Sequence, residues 1–144
     1  MDEPRVDFYL IEEPDGGARD STACRIAEKA WRRGHRVHLH AGSQEAARRL
    51  DDLLWTWRGE SFVPHAACGT GAAVGREPVT IGWGTLPDFA DDVLLNLDDR
   101  VPDGFERFGR IAELVGGGGA SRAAGRERFR RYRAAGREPV THRL

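Results

Sequence analysis

The residues best placed to do chemistry lie near the carboxyl end, where Arg122, Arg126, Phe129 and Arg133 follow one another at steps of four, three and four. On a helix such steps put side chains on one face, so an aromatic ring stands among guanidinium groups, with Arg130 at the edge of that face. A guanidinium fork takes a carboxylate through two parallel hydrogen bonds, and a neighbouring ring offers apolar contact. The natural ligand of such a face is acidic and carries an apolar anchor. Two other readings compete: a solvated basic helix without a ligand, and a direct site for the phosphates of single-stranded nucleic acid. Against the second, the cluster is short and interrupted by Glu127. It is also attached to an acidic body, since residues 1–121 carry 14 basic and 21 acidic residues while Arg122 to Leu144 carries eight Arg and two Glu. Such a body repels a long polyanion.

Elsewhere the chemistry is thinner. His38 and His40 alternate along an extended run and so point the same way, a spacing some metal sites use, but no third ligand is evident. His65 or Asp7 would have to be brought near by the fold, and two strand histidines are more often simply packed or hydrogen-bonded; no metal is expected. Gly69-Thr70-Gly71-Ala72-Ala73-Val74-Gly75 precedes a strand, the wrong context for a phosphate cradle. The loop after the first apolar run offers Glu12, Glu13 and Asp15 where a pyrophosphate would sit, with no GxGxxG. Asp51-Asp52, Asp91-Asp92 and Asp98-Asp99 are acidic doublets at element ends, and no nucleophile motif accompanies them. Cys24 on a helix stripe and Cys68 in a loop lack metal or redox spacing and read as reduced thiols. No catalytic residue and no cofactor are therefore expected, although a small nucleotide-binding α/β enzyme remains the rival class.

The elements that must position these groups alternate. Val6 to Ile11 reads as a first strand. Asp20, Ser21 or Thr22 can cap a helix with the stripe Ala23, Cys24, Ala27, Ala30 and Trp31, closed by Gly34. His35 to His40 is a second strand, Ala41-Gly42 its turn, and Ser43 the cap of the next helix. Pro78 to Trp83 and Asp92 to Leu97 are two more strands, and Phe105 to Val115 reads as a helix with Phe105, Phe108, Ala112 and Val115 on one side. Gly116 to Gly119 forms a flexible joint to a last basic helix over about 120–135. Such alternation predicts a three-layer α/β sandwich with a mostly parallel sheet. At 144 residues the chain is one domain, and no apolar run approaches the roughly 18 residues needed to cross a bilayer. The amino terminus has no signal-peptide pattern, so a cytoplasmic location is expected.

The helix from Gln44 organises this chain. Ala46, Ala47, Leu50, Leu53, Leu54 and Trp57 recur at steps of three and four and form a core-facing stripe, whereas Trp55 falls roughly 140° from Leu50 on the wheel. The helix stops at Arg58-Gly59, and Ser61 to His65 follows as a short extended segment. Trp55 and Phe62 are thus candidates for the surface, although Phe62 beside Val63 and Pro64 suits a core strand equally well.

Several blocks carry a family resemblance in the same order along nearly the whole chain: VDFYL, CRIAEKAWRRGHRV, LDDLLW followed by ESFVPH, PVTIGW, DDVLLNL and GRERFRRYRAAG. Together they resemble the chi subunit of the bacterial DNA polymerase III clamp-loader assembly. The resemblance implies a Rossmann-like, non-enzymatic adaptor that binds the acidic, phenylalanine-ended tail of single-stranded DNA-binding protein. It carries that pocket onto Arg126, Phe129 and Arg130, with Arg122 a further candidate and Trp55 as the aromatic wall. Phe129 stands where the family often has Tyr; the Phe keeps the apolar contact and lacks the hydroxyl with its hydrogen bond. The resemblance also implies that Phe62, supported by Val63 and Pro64, contacts the psi subunit of the clamp loader or a helicase competing for that surface. DNA would be reached only indirectly.

Overall fold

Short runs of β-branched and apolar residues pair side by side in the computed structural model, which describes residues 5–12, 16–56, 65–69, 78–87 and 92–143. The strands are β1 (Arg5–Leu10), β2 (Val37–Ala41), β3 (His65–Gly69), β4 (Val79–Trp83), β5 (Val93–Asn96), β6 (Arg110–Val115) and β7 (Val140–Arg143). Among the described residues they form one seven-stranded sheet in the order β3-β4-β2-β5-β6-β1-β7. Every pairing is parallel, with Val37 between Val79 and Val93, and Val6 beside Ile111. The helices are α1 (Gly16–Arg32), α2 (Gln44–Thr56) and α3 (Gly119–Ala134). The architecture is the expected α/β sandwich.

Alternation along the strands sorts the interior into two cores. Val37, Leu39, Val79, Ile81, Leu95 and Leu114 face α1 and α2. Val6, Phe8, Leu94, Ile111 and Val115 face the opposite way, toward Tyr132 and Phe129 of α3. Connections that step one way along the sheet carry helices on one face, and those that step back cover the other, as a single hand for parallel crossovers requires. Local signals explain the ends. Ser43 Oγ accepts from the Ala46 N–H at 3.1 Å and caps α2, and Gly34 takes φ 87° just after α1.

Three expectations fail and one strand goes unforeseen, each on identifiable grounds. Phe105 to Val115 is not a helix but a single 3-10 turn at Phe105–Arg107 followed by strand β6. Ile111, Ala112, Leu114 and Val115 are buried against both cores, and the charged Glu113 among them breaks the apolar run that would have announced a central strand. Helix α1 begins at Gly16, upstream of the expected caps, so Asp20, Ser21 and Thr22 lie inside it; the Thr22 hydroxyl donates back to the Ala18 carbonyl at 2.8 Å. Cys68 belongs to strand β3 rather than to a loop. Strand β7 was unannounced, because Val140-Thr141-His142-Arg143 is short and largely exposed.

One interior charge sets the orientation of α3. Glu113 of β6 is fully buried and accepts from Arg128 Nε at 2.7 Å, Tyr132 OH at 2.7 Å and Asn96 Nδ2 at 2.9 Å. Arg128 is buried too and reaches the Asp99 carbonyl at 3.2 Å. Burial pushes the Glu113 carboxyl upward, while Arg128 and the hydrogen bonds pull it back. Gly125 lies one turn earlier, where a Cβ would come within 3.0 Å of Val115 Cγ1, so the helix rests close on the sheet. The glycines before α3 lead directly into this seating, with Gly118 as the residue preceding the helix.

A second polar group lies inside the sheet. His38 Nδ1 is 2.7 Å from Thr80 Oγ1, and burial, assisted by His40, lowers its pKa to about 3. Neither His38 nor His40 is accessible, and among the described residues no group of three or more His, Cys, Asp and Glu could hold a metal ion. Cys24 is likewise buried, and burial pushes its thiol up to about 12, which keeps it protonated.

Two measurements test these interior groups. Arg128→Met should lower the unfolding free energy by about 3 to 5 kcal/mol in urea titrations, since an uncompensated buried charge remains. The loss should grow as pH rises, because Glu113, its folded pKa then raised further above the unfolded value, is tolerated when protonated and penalised when ionised. His38 works in the other direction: with its pKa depressed from 6.5 to about 3, its contribution is intact above pH 6.5 and declines as pH falls toward 3. His38→Gln should therefore flatten the acid side of a stability profile recorded between pH 7 and 4.5.

Candidate functional site

With Gly125, Arg128 and Tyr132 turned inward, helical spacing leaves Arg126 and Arg130 exposed, with Arg122 and Phe129 half-buried beside them. Arg122, Arg126, Phe129 and Arg130 all line one cleft of about 460 Å³. Its floor is apolar, made by Phe8 and Leu10 of β1 and Val115 of β6, and its far wall is Thr141 and Arg143 of β7. Phe129 is half-buried and packs on Phe8 with ring centroids 5.2 Å apart. Because Leu10 and Val115 end adjacent strands, the cleft opens at the carboxyl edge of the sheet, where parallel α/β folds place ligands.

The guanidinium groups in the cleft differ in freedom. Arg122 Nη2 donates to the Ile11 carbonyl at 3.1 Å and is half-buried. Arg130 is exposed and donates through Nη1 to Glu127 Oε1. Arg126 and Arg143 are exposed, and neither has an ion-pair partner among the described residues. An apolar floor ringed by four arginines suits a ligand with carboxylates and one large apolar group. The sequence pattern located the α3 side of the cleft. Thr141 and Arg143 escaped it because they lie on a strand that carries no periodic signal, and Leu10 and Val115 read only as core.

Trp55 is not part of this cleft. It stands at the end of α2 and is 59% exposed, but α2 packs on the opposite face of the sheet, over β3, β4 and β2. Since α2 leads from the carboxyl end of β2 to the start of β3, Trp55 also lies toward the amino edge, while the cleft lies at the carboxyl edge. The wheel placed the indole on the surface correctly; it could not say which surface. Phe62, Val63 and Pro64 lie outside the described residues, as does Trp57.

A further crevice of about 750 Å³ opens over the ends of β2, β4 and β5. There His40 Nε2 is 3.5 Å from Asp98 Oδ2, and burial, which raises the Asp98 pKa, is outweighed by its hydrogen bonds with His40 and the Asp99 N–H, so the net shift is downward. Asp98, Asp99, Asp103 and Glu127 offset the arginines on its walls, so its charge offers no clear preference for an anion. No helix among the described residues is long and apolar enough to cross a membrane.

Comparison with known proteins gives one answer. The family described as DNA polymerase III chi subunit, HolC, matches residues 4–140. A DNA polymerase III subunit chi of Pseudomonas aeruginosa is 44% identical over 140 residues, covering 97% of this chain and 96% of the relative. Proteins of the same description from Escherichia coli (strain K12) and Haemophilus influenzae are 34% and 31% identical, each match covering 90% of both chains. A match over almost the full length, joined to a parallel α/β sheet with a basic helix near its carboxyl end, establishes that the chain belongs to the DNA polymerase III chi subunit family.

Proposed function

We propose that this chain is a non-catalytic adaptor of the replication machinery, which joins the clamp loader through a psi subunit to the acidic carboxyl tail of single-stranded DNA-binding protein. The observation that carries the reading is the convergence of Arg122, Arg126 and Arg130 with Phe129 around an apolar floor. In this reading Asp side chains of the tail and its terminal carboxylate pair with Arg126 and Arg130, and the final aromatic ring packs on Phe129, Leu10 and Val115. In this proposal we leave Trp55 out of that contact, because the helix that carries it packs on the opposite face of the sheet from α3.

The second surface is assigned to Phe62, Val63 and Pro64, contacting psi or a competing helicase. Trp55 is exposed in the last turn of α2, seven residues before Phe62 in the sequence. The psi assignment rests on the family resemblance.

Binding of a disordered tail should be modest and salt-sensitive, near micromolar or about 8 kcal/mol, because the peptide is ordered on binding. Titrations with a short acidic peptide ending in Phe, with ATP and with a single-stranded oligonucleotide separate the adaptor from the nucleotide-binding and nucleic-acid-binding readings. Only the peptide should bind, and nucleotide turnover would reverse the assignment. Arg126→Ala should weaken the peptide by about 1 to 3 kcal/mol with little change in melting temperature. Phe62→Ala should abolish copurification with psi while leaving peptide affinity intact; a variant that unfolds in circular dichroism would instead identify Phe62 as core.

A further inference from the structure

The cleft has a wall that α3 does not supply. Strand β7 pairs with β1 alone among the described strands, in a register that sets Thr141 beside Phe8 and Arg143 beside Leu10. Side chains alternate across a strand, so Thr141 and Arg143 share the face of Phe8 and Leu10 and line the cleft, while His142 points to the other face. There His142 Nε2 lies 2.8 Å from Oδ1 of Asp7, which is fully buried, and the ring stacks on Tyr9 with centroids 4.9 Å apart and planes 18° from parallel. One carboxylate therefore ties down a strand that has a neighbour on one side only. It is itself held by Arg5 Nε at 3.0 Å and Arg110 Nε at 3.3 Å.

The geometry points to Arg143 as the residue that recognises a free carboxyl terminus in this cleft, facing Arg126 from the opposite wall, with His142 as the positioning residue that holds β7 in place. The inference rests on the acidic-peptide reading given above and refines it: Arg143 joins Arg126 on the terminal carboxylate, which leaves Arg130 to the Asp side chains of the tail. Arg126 and Arg143 come from different elements, and the floor between them is Leu10, Val115 and Phe129. An aromatic residue resting on that floor has its own backbone between the two guanidinium groups. If that residue ends the chain, the backbone carries a carboxylate that both can bind. If the chain continues or is amidated, both cations face a neutral group, and the charge-assisted part of the contact is lost.

The test is a cycle in which the ligand's end and the protein's wall are changed separately. Anisotropy titrations use the full chain and an acidic peptide ending in Phe, with either a free or an amidated carboxyl end, at one salt concentration. The wild-type chain should prefer the free acid by about tenfold or more. Arg143→Ala should remove most of that preference by weakening the free acid while leaving the amide nearly unchanged, and Arg143→Lys should restore part of it. His142→Ala should erode the same preference, a readout that a general loss of stability would not reproduce. If Arg143→Ala weakens both peptides equally, or neither, the carboxyl-end assignment is overturned while the peptide site stands. If the wild-type chain does not bind the free-acid peptide, the adaptor reading itself fails, and this inference with it.

Discussion

The face that α3 turns outward depends on a charge buried between this helix and the sheet. Glu113 sits in the middle of a parallel strand whose other inner residues are apolar, and an unpaired carboxylate there would cost more than most single defects a domain of this size tolerates. Arg128, Tyr132 and Asn96 supply the charge and the hydrogen bonds that make it tolerable. Once Arg128 and Tyr132 must point inward, the rotation of α3 about its axis is settled. Arg122, Arg126 and Arg130 then have only the outward face to occupy. The outer basic surface is thus a geometric consequence of an inner acidic residue.

The same sheet keeps two surfaces apart. The α1 and α2 layer covers one face and the α3 layer the other, and no side chain passes through the strands between them. Trp55 and the cleft are separated both by this thickness and by the length of the strands.

The amino- and carboxyl-terminal strands lie side by side at one end of the sheet, and their junction is polar. Asp7 takes contacts from Arg5, Arg110 and His142, so residues at both ends of the chain and from β6 meet at one carboxylate. Such a junction is specific in register, because a shift of β7 by one residue would turn His142 away from Asp7 and Arg143 away from the cleft.

Local patterns were enough for much of this protein. The period of α2, its Ser43 cap, the glycine ending α1 and the apolar runs of β1, β2, β4 and β5 are properties of a few consecutive residues and are read without knowing the fold. The face of α3 bearing Arg122, Arg126, Phe129 and Arg130 is equally local, since helical spacing alone puts those side chains together. Other features needed the assembled chain. Residues 110–115 satisfy a helical period, yet they insert between β5 and β1, because a sheet with a gap there would leave backbone groups unpaired. The exposed edge strand β7, Arg143 opposite α3 and the distance of Trp55 from both depend on contacts between residues far apart in sequence. A hydrophobic period reports which side of an element is wet, whereas only the packing of layers decides which wet sides meet.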